Sequence, residues 1–322
     1  MQRRQFIGFL ATAAAGLAGE SAPDTALAVE AAEPAPPVVP VTERLCLFTD
    51  HLDDFAYSYA EVARMLRPLN IAGPDLTVRA GGLVAPDRVA EELPKAAAAF
   101  RNEGLSIPML STSLTSAGDP TARPLFAAMG RLGVRYYKLG YYHYHDLARW
   151  EADLESQRKN LAGLLELGRA VGAHAGLHNH SGAAIGGALW DGWEFLRPLD
   201  PARVGFYFDP SHATIEGGRH AWKLNLQRSS PRVTMVAVKD FVWEKAGGNW
   251  RTRWCPLGEG MVNWSEFFGM LAQVPFRGPL SVHIEYDPGG STRPERIDNS
   301  LAAAQRDVAF VRRHLAQAAS GG

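Results

Sequence analysis

Hydrophobic positions along the chain alternate between two periods. Short apolar runs bounded by Gly, Pro or Asp occur at Leu45–Phe48, Leu76–Arg79, Ser106–Ser111, Tyr136–Leu139, Ala173–His178, Val204–Phe208, Val233–Val238 and Pro279–Glu285. That is the form of strands buried on both faces. Between them, apolar residues recur every three or four positions. The clearest such stretch is Leu154–Val171, where Leu161, Leu164, Leu165, Leu167 and Val171 make one broad face and Gly172 follows as a stop. Others run from Val89 to Phe100 and from Arg293 to Leu315. Eight strand–helix units predict an α/β fold, a single-domain (β/α)8 TIM barrel spanning residues 43–322. A doubly wound open sheet is the alternative, but no G-x-G-x-x-G follows the first strand.

The first 42 residues do not follow this pattern. Arg3 and Arg4 precede Phe6-Ile7-Gly8 and an Ala/Gly/Leu run, and Ala26 and Ala28 offer a cleavage site. RRQFIG resembles a twin-arginine export signal over residues 1–28, with Gln2 in place of the usual Ser or Thr. An ordinary secretory signal is the alternative. The apolar run is too short and Ala-rich for a good membrane span. Residues 29–42 form a Pro/Ala-rich linker in which Pro34, Pro36, Pro37 and Pro40 favour an extended chain. A periplasmic or secreted protein is expected. Twin-arginine export carries folded proteins, often loaded with a cofactor, which raises the expectation of a metal.

Composition narrows the function. Over 322 residues the formal net charge is −1, which argues against a broad nucleic-acid surface. Two cysteines, Cys46 and Cys255, make no disulfide framework. Cys46 falls in an apolar strand, and the sequence leaves open whether the two pair.

In a barrel, chemistry collects at the C-terminal strand ends. His178 and His180 lie two apart at the fifth such end and share a face. Burying both requires hydrogen bonds or a metal. Asp209 closes the aromatic run Phe206-Tyr207-Phe208, so its carboxylate needs a cation or several donors. His212 can reach back to the same space, while helix capping by Asp209 or Ser211 is the competing use. At the seventh end Ala237 and Lys239 share a face. Lys239 is a candidate acid, base or anchor for substrate oxygens, or else the partner of Asp240 or another acid. Ser281, His283 and Glu285 alternate with Val282 and Ile284, which makes Glu285 the strongest single candidate. Carboxylate and imidazole donors on adjacent strands suit a divalent Mn2+, Zn2+ or Mg2+ with an open position for substrate. Arg79, Lys138 and Trp243 are candidate substrate contacts. Trp243, Trp250 and Trp254 flank Pro256–Gly260, and exposed aromatics beside polar groups suit sugar rings.

HNHSG, FDPSHA, VKDF, PLGEGMVNW and HIEY, in this order, resemble the xylose-isomerase-like TIM-barrel superfamily of sugar isomerases and epimerases, over the chain from about Glu43 onward. DLTVRAGG and the export signal look like a secreted subgroup. The resemblance implies a divalent metal held by Glu, Asp, His and Glu on strands five to eight, and a proton shuttled by two glutamates. Asp209, His212 and Glu285 match three of the positions. His178 stands where the first glutamate is expected, and Ala237 where the seventh-strand histidine is expected, so a two-glutamate shuttle is not supported. The metal ligands implied are His178, Asp209 and Glu285, with His180 or His283 as further candidates. The catalytic candidates are Glu285, His178, Lys239 and His212, and the substrate contacts are Arg79, Lys138, His212 and Trp243.

The expected activity is metal-dependent isomerisation or epimerisation of a non-phosphorylated sugar or sugar derivative by proton transfer next to a carbonyl. A lyase or hydratase acting on an oxidised sugar such as a 3-keto-glycoside and a non-catalytic carbohydrate-binding barrel are the rivals. Endonuclease chemistry, which shares the superfamily fold, is opposed by export, charge and too few strand-end ligands. The expected partner is thus a small carbohydrate, with no nucleic acid and no membrane span in the mature form.

Overall fold

The computed structural model describes residues 40–53 and 56–320. The signal and nearly all of the linker lie outside the described residues. Eight parallel strands close into a barrel. They are β1 (Leu45–Phe48), β2 (Gly73–Val78), β3 (Met109–Thr112), β4 (Tyr136–Lys138), β5 (His174–His178), β6 (Val204–Phe208), β7 (Val233–Val238) and, after an inserted hairpin of β8 (Asp240–Ala246) and β9 (Asn249–Cys255), β10 (Leu280–Val282). Closure comes from β10 lying between β7 and β1, with Ser281 level with Ala237 and Cys46. Among the described residues no helix is long and apolar enough to cross a membrane.

The ladder register decides which residues look inward. From Phe48 it passes to Asp75, then Met109, Tyr136 and His174. Two residues on along each strand, the same parity selects Ser111, Lys138, Gly176 and His178, and His178 is level with Tyr207. The lower interior is a small cluster of Cys46, Met109, Tyr207, Met235 and Ala237. Gly176 makes it possible, because a Cβ there would lie 2.0 Å from the Met235 side chain. The opposite parity, such as Leu45, Leu76, Leu110 and Val236, packs against the helices in the main apolar core.

Several boundaries differ from expectation. β10 stops at Val282 rather than Glu285, although the His283 amide still bonds the Val238 carbonyl and keeps the segment beside β7. β2 begins at Gly73 and β3 at Met109. The helix expected from Leu154 starts at Trp150, because Asp153 collects the amides of His145 and Asp146 and ties down the preceding turn. It ends at Arg169, and Gly172 at φ +64° reverses the chain into β5. The last helix runs on to Ser320. The hairpin was not expected. Charged and aromatic residues alternate along both its strands, so it has no apolar strand signature, but Gly247 and Gly248 both adopt positive φ (+58° and +87°) between the paired Ala246 and Asn249. That is the two-residue turn a tight hairpin needs. Both cysteines are free and buried.

Candidate active site

The site forms where inward parity runs out of the barrel. β5 ends in a tight turn, with the His180 amide on the His178 carbonyl at 2.8 Å. This folds the His180 ring to 4.1 Å from that of His212. Asn179 between them clamps the next strand, its amide donating to the Asp209 carbonyl (2.9 Å) and accepting from the Asp209 amide (2.7 Å). Asp209 is fully buried and divides its work between two oxygens. Oδ1 accepts the amides of Ser211 (2.7 Å) and His212 (3.2 Å) and so caps the helix Pro210–Ser229. Oδ2 faces His178 Nε2 at 3.3 Å, Lys239 Nζ at 3.7 Å and His212 Nε2 at 3.8 Å. One carboxylate thus caps the helix and also faces the imidazoles and the ammonium at the mouth.

Lys239 joins three strand ends. Its ammonium bonds Glu285 Oε1 at 2.7 Å and lies 4.3 Å above the Trp254 ring, while Ser211 Oγ holds its carbonyl. Glu285 also accepts from His283 Nδ1 at 3.2 Å, and His283 Nε2 contacts the Tyr207 hydroxyl at 2.9 Å. Tyr207 donates to Asp75 Oδ2 (2.9 Å), and Asp75 further accepts from Ser281 (2.9 Å) and Ser111 (2.8 Å). A continuous polar chain therefore runs from a buried carboxylate inside the barrel to the mouth.

Burial pushes the His178 and His212 imidazoles well below their ordinary range, with the Lys239 charge adding to it, so both are neutral. Burial also raises the Asp209 carboxyl. Burial would raise Glu285 as well, but the Lys239 charge and the His283 and Lys239 hydrogen bonds outweigh it and hold that carboxyl below the usual range.

His178, Asp209 and His212 each offer a ligand atom within 4.8 Å of the others. His178 Nδ1 and His212 Nε2 are buried without a hydrogen-bond partner, a costly state that a metal ion would relieve. Ser181 Oγ meets the other His212 nitrogen, Nδ1, at 2.9 Å, as an outer partner of a metal-binding imidazole does. The residues fit a divalent ion with an open coordination position. This set differs from the one implied by resemblance. His212 joins it, while Glu285 is engaged by Lys239 and His283, and His180 donates from Nδ1 to the Ser181 carbonyl at 2.8 Å.

The expected substrate contacts scatter more widely. Lys138 is buried at the mouth, donates to the Leu139 carbonyl (2.9 Å), and sits 4.0 Å over the Tyr141 ring. Burial lowers its ammonium to about 7. Arg79 forms an ion pair with Asp50. Trp243 is 40% exposed on the hairpin, and it is Trp254 that approaches His212, at 5.5 Å. A cleft of about 900 Å³ opens beside the site, lined by Trp254, Thr252, Glu285 and Asn299 among others.

Asn179, Asp75 and Tyr207 were missed in the sequence. For Asp75 a signal existed: the alternation that puts Arg79 on an inward parity puts Thr77 and Asp75 there too.

The model of the xylose isomerase-like TIM barrel family matches residues 69–314. The chain belongs to this family. Its fold is similar to that of D-psicose 3-epimerase from Clostridium cellulolyticum H10 (13% identity, TM-score 0.62, 84% of this chain and 99% of that one). It is likewise similar to a probable 3-DHS dehydratase from Bacillus anthracis (14% identity, TM-score 0.62, 84% and 98%). A 3-keto-D-glucoside 4-epimerase from E. coli matches at 13% identity and TM-score 0.59 over 81% and 98%. Among curated proteins, none matches by sequence.

Proposed function

We propose that this family member is an exported, metal-assisted isomerase or epimerase that moves a proton beside the carbonyl of a non-phosphorylated sugar derivative. The observation that carries this reading is the triad His178–Asp209–His212 directly beside the Lys239–Glu285 pair at the barrel mouth. The family and two of the epimerases among its structural neighbours support it. A divalent ion held by the triad would polarise the carbonyl or bind vicinal hydroxyls.

The chain's own groups then divide the proton work. The Ser181 carbonyl obliges His180 to carry its proton on Nδ1, which leaves Nε2 as the basic nitrogen. Burial lowers this imidazole, so it is unprotonated and able to accept a proton at neutral pH. Lys239, hydrogen-bonded to Glu285, is the donor to a substrate oxygen. Proton transfer predicts that the carbon-bound hydrogen of an accepted sugar derivative exchanges with D₂O during turnover. Turnover without exchange would refute it.

Elimination from an oxidised sugar such as a 3-keto-glycoside is the second reading. One observation favours it: Glu285 is committed to Lys239 and His283, and by the resemblance His178 stands where the first glutamate is expected. Proton removal from one face is sufficient for elimination. Release of an aglycone separates the two chemistries.

A further inference from the structure

We infer that the β8–β9 hairpin is a binding track for an extended carbohydrate, so that the substrate is a glycoside or oligosaccharide rather than a free monosaccharide. The inference rests on the sugar-processing reading above and specifies its substrate class. Cross-strand pairing places Phe241 opposite Trp254, Trp243 opposite Thr252, and Lys245 opposite Trp250. Side chains two apart share a face, so Trp254, Trp243 and Trp250 stand on one side of the hairpin. The other side carries Glu244, which is ion-paired to Arg251 and Arg253.

The track starts at the chemistry. Trp254 covers Lys239 and packs against His212, and Thr252 and Trp254 line the cleft that reaches Glu285. From there exposure increases outward, to 40% at Trp243 and 66% at Trp250. Trp254 to Trp250 is four residues, roughly 14 Å at about 3.4 Å per residue. That is longer than one sugar ring. Two large aromatic rings open to water on the same face as Trp254 make a patch of the kind that marks a binding surface. Lys245 and Thr252 interleave with them, so the face offers apolar planes beside hydrogen-bonding groups. This suits a chain of hydroxylated rings better than the apolar surface of another protein.

Titration calorimetry on the metal-loaded full chain tests this, with mono- to tetrasaccharides of glucose, mannose, galactose and xylose as probes. The expected result is that at least one series binds about tenfold or more tighter as a trisaccharide than as a monosaccharide. Trp250→Ala should lose about three- to tenfold on the longer ligands, and Trp243→Ala/Trp250→Ala should abolish the length dependence with metal content and thermal midpoint retained. Length-independent binding, or no binding anywhere in the panel, overturns the track. So does a double variant that keeps the length dependence, or one that converts a self-associating protein to a monomer in sedimentation, which would make the face a protein interface. The D₂O exchange of the substrate's carbon-bound hydrogen is read separately, so failure of the track and failure of the proposed chemistry are distinguishable.

Discussion

Lys239 Nζ stands 2.7 Å from Glu285 Oε1 and 3.7 Å from Asp209 Oδ2, so one side chain from the end of β7 bridges carboxylates from both neighbouring strand ends. All three side chains lie in a largely dry mouth, where an uncompensated charge is far more costly than at the surface. Lys239→Met should therefore destabilise the fold by about 3 kcal/mol or more. Glu285→Gln in the same background should restore much of that loss, because it removes the charge left alone. Urea unfolding of the two single variants and the double variant measures the coupling. Strictly additive effects would mean that the pair is not a unit.

Metal affinity separates two ligand sets. Resemblance implies Glu285 as a ligand, whereas the geometry groups His178, Asp209 and His212 and leaves Glu285 with Lys239. His178→Ala, His212→Ala and Asp209→Asn should each weaken Mn2+ or Zn2+ binding more than a hundredfold. Ser181→Ala, which frees His212 Nδ1, should cost about tenfold. Glu285→Gln should leave the metal in place. Calorimetric titration of the chelator-stripped protein reads all five, and loss of metal in the Glu285 variant would return that carboxylate to the ligand set.

The fold and the centre of the site were legible for the same reason. Strands buried on both faces leave apolar runs, and a polar residue ending such a run has to face the mouth, which picks out His178, Asp209, Lys239 and Glu285. Tyr207 escaped because it lies within its strand, where sequence period alone does not tell the barrel interior from its outer face. Only the register, with His178 level with Tyr207, settles that. The hairpin escaped because neither of its faces is continuously apolar. Its three tryptophans were visible in the sequence, but their common face depends on the pairing of Lys245 with Trp250. Lys239 illustrates a different limit: salt-bridge partner and site residue give the same sequence signal, and the geometry shows the salt bridge, to Glu285, at the mouth of the barrel.

Asp240, next to Lys239, points away from the site and organises the loop that follows the hairpin. Its Oδ2 accepts from the amides of Gly258 (3.0 Å) and Gly260 (3.1 Å) and from the Trp264 indole (2.7 Å), and Oδ1 accepts from Phe241 and Val262. Gly260 is required by this approach, since a Cβ there would lie 2.0 Å from Asp240 Oδ1. Asp240→Ala would leave several buried donors unpaired and should destabilise the protein by on the order of 3–4 kcal/mol. Gly260→Ala should mimic much of the loss by steric means. Urea midpoints together with limited proteolysis across residues 256–263 check this. An Asp240→Ala protein with an unchanged midpoint and a resistant loop would show that the carboxylate is dispensable.

Acid stability follows from histidines kept neutral by burial. Burial, reinforced by Arg203, lowers His174 at the closed end of the barrel to about 4, and its Nε2 is buried without a hydrogen-bond partner. Burial likewise lowers His51 to about 4, against a hydrogen bond to the Phe48 carbonyl. An unfolded chain protonates both near 6.5. Between about 6.5 and 4 the unfolded state therefore binds more protons, and stability falls as pH falls through that window while these groups add no slope above it. His174→Phe removes one titrating group far from the triad. Its thermal midpoint should drop less than that of the parent between pH 7 and pH 4.5, with chelator present throughout to exclude metal loss. The slope should not vanish, because His51, His178 and His212 are lowered in the same direction. A His174→Phe protein whose midpoint falls as steeply as the parent's would show that His174 is not the neutral buried group described.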